Sequence, residues 1–135
     1  MRVSILLVTH NSFGPLLLDT VVDTLGFCPL HTECLTIGQD SDPETQSARA
    51  RELLAGFPSG GGVLILTDIF GATPCNLALR LKVEEPVRIV SGLNLPMLLR
   101  VFNYPTLDLD ALAEKAVSGG RDGVMLVQPD QGTTQ

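Results

Sequence analysis

VSILLVTHNSFGP, residues 3–15, decides how this chain is read. Ser4 apart, Val3 to Val8 form an unbroken apolar run, the pattern of a strand buried on both faces, as in a parallel sheet covered by helices. His10 follows two residues later, where such a strand should end. In open α/β sheets ligands gather outside the carboxyl ends of the strands, so a histidine there is a candidate for chemistry.

Strand and helix signals alternate from this stretch onward. Gly14 and Pro15 open a predicted helix whose Leu17, Leu18, Val21, Val22 and Leu25 share one face, and Gly26 closes it. His31 to Ile37 reads as a second strand, followed by a helix from Pro43 to about Gly56 with Leu53 and Leu54 inward. Val63 to Thr67 is a third strand, fully apolar up to its threonine and ending at Asp68. Thr73 and Pro74 read as N-cap and first helical residue of a helix reaching about Val83. Val87 to Val90 is a fourth strand, and Pro96 starts a short helix to about Phe102. Asp108 or Asp110 caps a last helix, closed by Gly119-Gly120. Gly123 to Val127 makes a final short strand, and residues 129–135 read as a flexible tail.

This alternation predicts an α/β fold: a doubly wound, mainly parallel sheet of about five strands flanked by helices, in one domain over residues 1–128. Length agrees, since 135 residues with 44% hydrophobic content fill one core and are too few for two. The formal net charge is −6, with one tyrosine, no tryptophan and no Lys/Arg cluster. Neither phosphate neutralisation nor base stacking is provided for, which argues against nucleic acid and favours a basic partner protein. No apolar stretch reaches the roughly 20 residues needed to span a bilayer, and no signal-peptide pattern opens the sequence, so a cytoplasmic location is expected. Cys28, Cys34 and Cys75 are odd in number and form no C-x-x-C pair, so neither a disulfide framework nor a metal site is expected, and no cofactor motif is present.

With the first and third strand ends flanking a switch point, His10 comes close to Asp68. A carboxylate accepting from Nδ1–H would fix the imidazole tautomer and leave Nε2 free to attack an electrophile. It would also stabilise the positive charge that develops on the ring, as in hydrolase triads but without a serine. If the electrophile is phosphorus, the loop Phe70-Gly71-Ala72-Thr73 leading into Pro74 supplies backbone N–H groups, a hydroxyl and a helix N-terminus. Asn11, Ser12 and Asn94 offer further neutral donors. Asp68 as a turn cap and Thr73 as a helix cap are the purely structural alternatives. Gly60-Gly61-Gly62 precedes a strand and is a turn, not a phosphate loop, and His31 sits at a strand start away from the crevice.

The stretches ILLVTHNSFG, GVLILTDIFGATPCNLALRL, VSGLNLPMLL and SGGRDGV, spread over roughly residues 2 to 127, resemble the mannose-type enzyme IIA domains of the bacterial phosphoenolpyruvate-dependent sugar phosphotransferase system. The resemblance implies that His10 is the phosphorylated histidine, Asp68 the carboxylate beside it, Thr73 the small hydroxyl residue before the proline and Asn94 the asparagine of the fourth-strand loop. It implies a phosphocarrier that accepts from the phosphocarrier protein HPr and passes the group to a IIB-type acceptor. It also implies a homodimer in which the last, antiparallel strand is exchanged. Asn11 departs from the family, which commonly has glycine there. The alternative function is a regulatory protein whose partner binding follows the phosphorylation state of His10. A phosphocarrier subunit of a dihydroxyacetone kinase is a third reading, which the stretch SGLNLPMLL disfavours.

Overall fold

The computed structural model describes residues 1–129. The predicted tail, 129–135, lies outside the described residues after Pro129. Four strands, β1 (Ser4–His10), β2 (Thr32–Ile37), β3 (Val63–Thr67) and β4 (Val87–Val90), form one all-parallel sheet in the order β2-β1-β3-β4. Five helices connect or follow them: α1 (Phe13–Leu25), α2 (Pro43–Ala55), α3 (Thr73–Arg80), α4 (Leu95–Phe102) and α5 (Leu109–Asp122).

The period-2 geometry of β1 sends its side chains alternately into two cores. Ile5 and Leu7 pack with Val21 of α1, Leu98 of α4 and Leu112 of α5, whereas Leu6 and Val8 pack with Ala50 of α2 and Leu77 of α3. Residues Ile5 to Val8 are all sealed from solvent, which is why the sequence shows no polar alternation there. The chain winds from β1 to β2 on one side and to β3 on the other, so the switch point falls between β1 and β3.

Three helices start at prolines placed in their first turn, where the missing N–H costs no hydrogen bond. Asp42, Asn94 and Asp108 cap α2, α4 and α5 by accepting from Thr45, Met97 and Ala111. The cap of α3 differs from expectation. Ala72 holds the N-cap position in extended geometry, and Thr73 is the first helical residue, with no side-chain cap bond. The same helix stops at Arg80, short of Val83, because Leu81 turns to extended backbone (φ −69°, ψ 132°).

Two further expectations are corrected. Gly119-Gly120 does not end α5, which continues to Asp122 with both glycines buried inside it. They serve close packing: a Cβ on Gly119 would lie 2.7 Å from Cβ of Arg100 on α4. Among the described residues the sheet of the single chain has four strands, and the expected fifth, Gly123 to Val127, is not one of them. Gly123 caps α5, and Val124 to Val127 are irregular and exposed. A strand exists through its pairing, and within one chain this segment pairs with nothing in the sheet.

Leu66, completely buried in β3, should be far less replaceable than Leu16, which is 62% exposed on α1. Leu66→Ala is expected to cost about 2–5 kcal/mol by the lost transfer energy and the cavity left behind. Leu16→Ala is expected to stay within about 0.5 kcal/mol. Urea unfolding midpoints of the two variants check this.

Candidate functional site

The register of β1 and β3 builds the site. Val8 lies opposite Thr67, so Thr9-His10, which end β1, and Asp68, which follows β3, come side by side at the carboxyl ends of the two strands. β1 extends through His10, which pairs with Ile37 of β2, so the histidine is the last strand residue and not a loop residue beyond it. Its imidazole is thereby tied to a rigid element.

Asp68 holds His10 twice. Its Oδ2 accepts from the His10 backbone N–H at 2.9 Å and lies 2.7 Å from Nδ1, while Oδ1 accepts from the Ile69 N–H at 3.0 Å. Burial alone raises the Asp68 carboxyl, but the backbone and ring hydrogen bonds from His10 outweigh it and hold the group below its ordinary 3.8. An ionised carboxylate is an acceptor only, so in the neutral imidazole this contact selects the tautomer with the proton on Nδ1 and the lone pair on Nε2. The Asp68 side chain is 13% exposed and that of His10 44%, so the carboxylate is sheltered and the nucleophile reachable. Among the described residues nothing hydrogen-bonds Nε2.

His10 and Asp68 open into a shallow cleft of about 450 Å³ that is also lined by Asn11, Ser12, Phe13 and Ile69. Asn11 has φ +47°, and its N–H donates to the Ile37 carbonyl at 3.0 Å. Glycine and asparagine are the residues that take this left-handed geometry at least cost, so asparagine is tolerated at this position. Its backbone donor is engaged, leaving the exposed side chain as its only free donor.

The remaining site candidates are distributed differently. Phe70 is 76% exposed, Gly71 has φ +85°, and Ala72 turns the chain into α3. Thr73 lines a separate cavity of about 240 Å³ together with Ile37, Ser41, Gln46, Asn76 and Arg80 among others. Asn94 is engaged structurally: Oδ1 caps α4 through the Met97 N–H, and Nδ2 donates to the Gly120 carbonyl at 3.1 Å, tying α4 to α5. Sequence reasoning did not assign this capping role to Asn94, although asparagine is a favoured N-cap. His31 is exposed, stacks edge-on against Phe57 and lies 3.8 Å from Glu33, away from the cleft. Sequence reasoning missed the apolar rim of Phe13 and Ile69, 42% and 57% exposed, whose only signal is that both directly flank polar cleft residues.

The family model for the phosphotransferase system (PTS) fructose IIA component matches residues 4–117. The chain belongs to the mannose-family IIA components of the sugar phosphotransferase system. The mannose-specific EIIAB component of Escherichia coli K12 is 31% identical over 127 residues, 92% of this chain. This IIA chain spans only 39% of that relative's length. Among solved structures, the mannose/sorbose-specific IIA subunit of Enterococcus faecalis superposes with a TM-score of 0.83 at 24% identity, covering 95% of this chain and 96% of that one. The EIIA component of Streptococcus agalactiae does so with a TM-score of 0.79 at 22% identity, covering 92% and 96%. At those identities the likeness speaks for the fold. Among the described residues no helix is long and apolar enough to cross a membrane.

The lowered Asp68 carboxyl gives a pH signature of the IIA domain's stability. A carboxyl held below its unfolded value stabilises the fold above that value, and the contribution disappears as pH falls through the folded one. Wild type should therefore melt above Asp68→Asn at pH 7, with the gap closing below about pH 4. Thermal melts from pH 7 to pH 2 test this, and a gap unchanged across that range would contradict the assigned charge state.

Proposed function

We propose that this IIA domain is a phosphocarrier that takes a phosphoryl group from phospho-HPr onto Nε2 of His10 and passes it to a IIB-type acceptor. The observation that carries the reading is the Nδ1 contact of 2.7 Å to a sheltered carboxylate, which leaves Nε2 in an open cleft with no partner among the described residues. As the lone pair of Nε2 bonds to phosphorus, the P–N bond to the donor histidine breaks and that imidazole keeps the electron pair. No proton has to be found for either ring in this exchange, so the protein's task is position and charge. Asp68 offsets the positive charge that the phosphorylated imidazole of His10 carries.

In this reading the loop Phe70-Gly71-Ala72 would turn its backbone N–H groups toward the phosphoryl oxygens at the N-terminus of α3, where partial positive charge accumulates. The Thr73 hydroxyl, which faces a separate cavity, would reach them only if that loop moves toward His10. Asn11 contributes its side chain. Asn94 acts in this reading by holding the α4–α5 corner, since its amide is bonded there. The mannose-specific relative supports transport of a hexose by the system this domain serves.

His10→Ala should abolish labelling from phosphoenolpyruvate, enzyme I and HPr, while His31→Ala should label as wild type. Asp68→Asn should fold but accept the phosphoryl group slower by about two to four orders of magnitude, the scale seen when a histidine loses its orienting carboxylate. Acid-labile label on His10→Ala would sink the assignment.

The domain is also proposed to be a C₂ dimer that exchanges residues 123–127. Val124, Met125, Leu126 and Val127 are four consecutive exposed apolar residues, and β4 is an edge strand. Along that edge runs an open cleft lined by Ile89, Val90, Ala113 and Val117. Laying a second copy's segment there would pair the edge and bury both sets of apolar side chains. Sedimentation at micromolar concentration should show a dimer for the full chain and monomer for one ended after Gly123; equal dimerisation of both would exclude the exchange.

A further inference from the structure

α1 begins without the help of its own N-cap residue. Ser12 holds that position, yet its hydroxyl makes no cap hydrogen bond, although serine there ordinarily accepts from the second or third helical N–H. The N–H of the second helical residue, Gly14, donates instead to Oγ1 of Thr9 at 2.8 Å. Thr9 is a strand residue with no exposed surface. The acceptor thus comes from the sheet, five residues back, and from a β-branched side chain with few rotamers to choose from. Gly14 fits this contact closely: a Cβ on it would stand 2.8 Å from the Thr9 oxygen and 3.4 Å from Cβ of Leu7.

Thr9 and Gly14 are therefore the two ends of a clamped turn, and His10 lies within it. The turn is tied at two further points, His10 N–H to Asp68 and Asn11 N–H to the Ile37 carbonyl. Asn11, at φ +47°, sits in a conformation that is uncommon for a residue with a side chain and needs such ties to persist. Ser12, relieved of capping, lines the cleft beside His10 with a hydroxyl that bonds nothing among the described residues.

We propose that Thr9 is a positioning residue for His10: by capping α1 in place of Ser12, its hydroxyl fixes the turn that sets the imidazole against Asp68 and leaves the Ser12 hydroxyl free in the cleft. The proposal rests on the phosphocarrier reading for its kinetic consequence. Its structural consequence, the held tautomer of His10, stands apart from it. A displacement of about 1 Å at a transferring group is enough to cost on the order of a hundredfold in rate.

The experiment compares Thr9→Val, which keeps the shape and loses the hydroxyl, with Thr9→Ser, which keeps the hydroxyl. Phosphorylation by phospho-HPr is measured per folded molecule, and the ring nitrogens of His10 are followed by ¹⁵N NMR. Thr9→Val is expected to label at least about tenfold slower, with ring signals moved toward an average of the two tautomers. Thr9→Ser should stay within about twofold of wild type on the same grounds. Gly14→Ala, which pushes a methyl at the Thr9 oxygen, should shift the ring signals as Thr9→Val does and serves if that variant does not fold. Thr24→Val, removing an exposed α1 hydroxyl bonded to the Thr20 carbonyl, is the control and should change neither readout. Wild-type labelling and ring signals in Thr9→Val, or equal losses in Thr9→Val and Thr9→Ser, would overturn the proposal. If wild type itself takes no label at His10, the phosphocarrier reading falls, and unchanged ring signals in Thr9→Val would then still decide against Thr9.

Discussion

Burial of β1 on both faces is the constraint from which the rest follows. Ile5 and Leu7 close one core and Leu6 and Val8 the other, so both helical layers depend on this one strand, each through its own pair of residues. A strand so placed must be central, and in a parallel sheet both neighbours must then reach it through helical crossovers. The split of those crossovers to opposite sides opens a crevice at its carboxyl end. His10 stands at that end because the strand delivers it there.

Within the crevice one carboxylate oxygen does two jobs. Oδ2 of Asp68 accepts from both the backbone and the ring of His10, so the main chain and the imidazole are oriented by one acceptor. Sharing ties side-chain direction to strand register: a shift of β1 against β3 would break both bonds together. The thiols play no such part. The Cys34 thiol is pushed up to about 11, chiefly by burial and then by nearby Glu33, which leaves it protonated at neutral pH. The contrast with Asp68 is instructive, because burial raises both groups, and at Asp68 the hydrogen bonds and charge, chiefly from His10, reverse its effect.

Most of the fold was legible wherever a local rule carried a tertiary consequence. The apolar runs of β1 and β3 and the prolines that open α2, α3 and α4 were read from sequence to within a residue or two. The errors fell where local chemistry had two uses. Gly119-Gly120 looks like a helix stop, and becomes helix interior because α4 lies too close to admit a side chain. Thr73 looks like a cap, and the cap position went to Ala72. Gly123 to Val127 is a different case: it has the composition of a strand, and within one chain it finds no neighbour to pair with.

The sequence by itself determined the order of strands and helices, the two-sided burial of the central strand and the arrival of His10 and Asp68 at strand ends. These depend on hydrophobic period and on residues that open or close elements, which act over a few positions. Only the tertiary structure decided which hydrogen-bonding groups were engaged. Asn94 had an amide to offer anywhere, and the approach of α5 claimed it through the Gly120 carbonyl. Ser12 had the chemistry of a cap, and Thr9, buried beneath the helix start, reached the Gly14 N–H instead. Hydrogen bonds are short and directional, so which of several competent partners forms one is set by positions to within an ångström, a precision that only the packed chain provides.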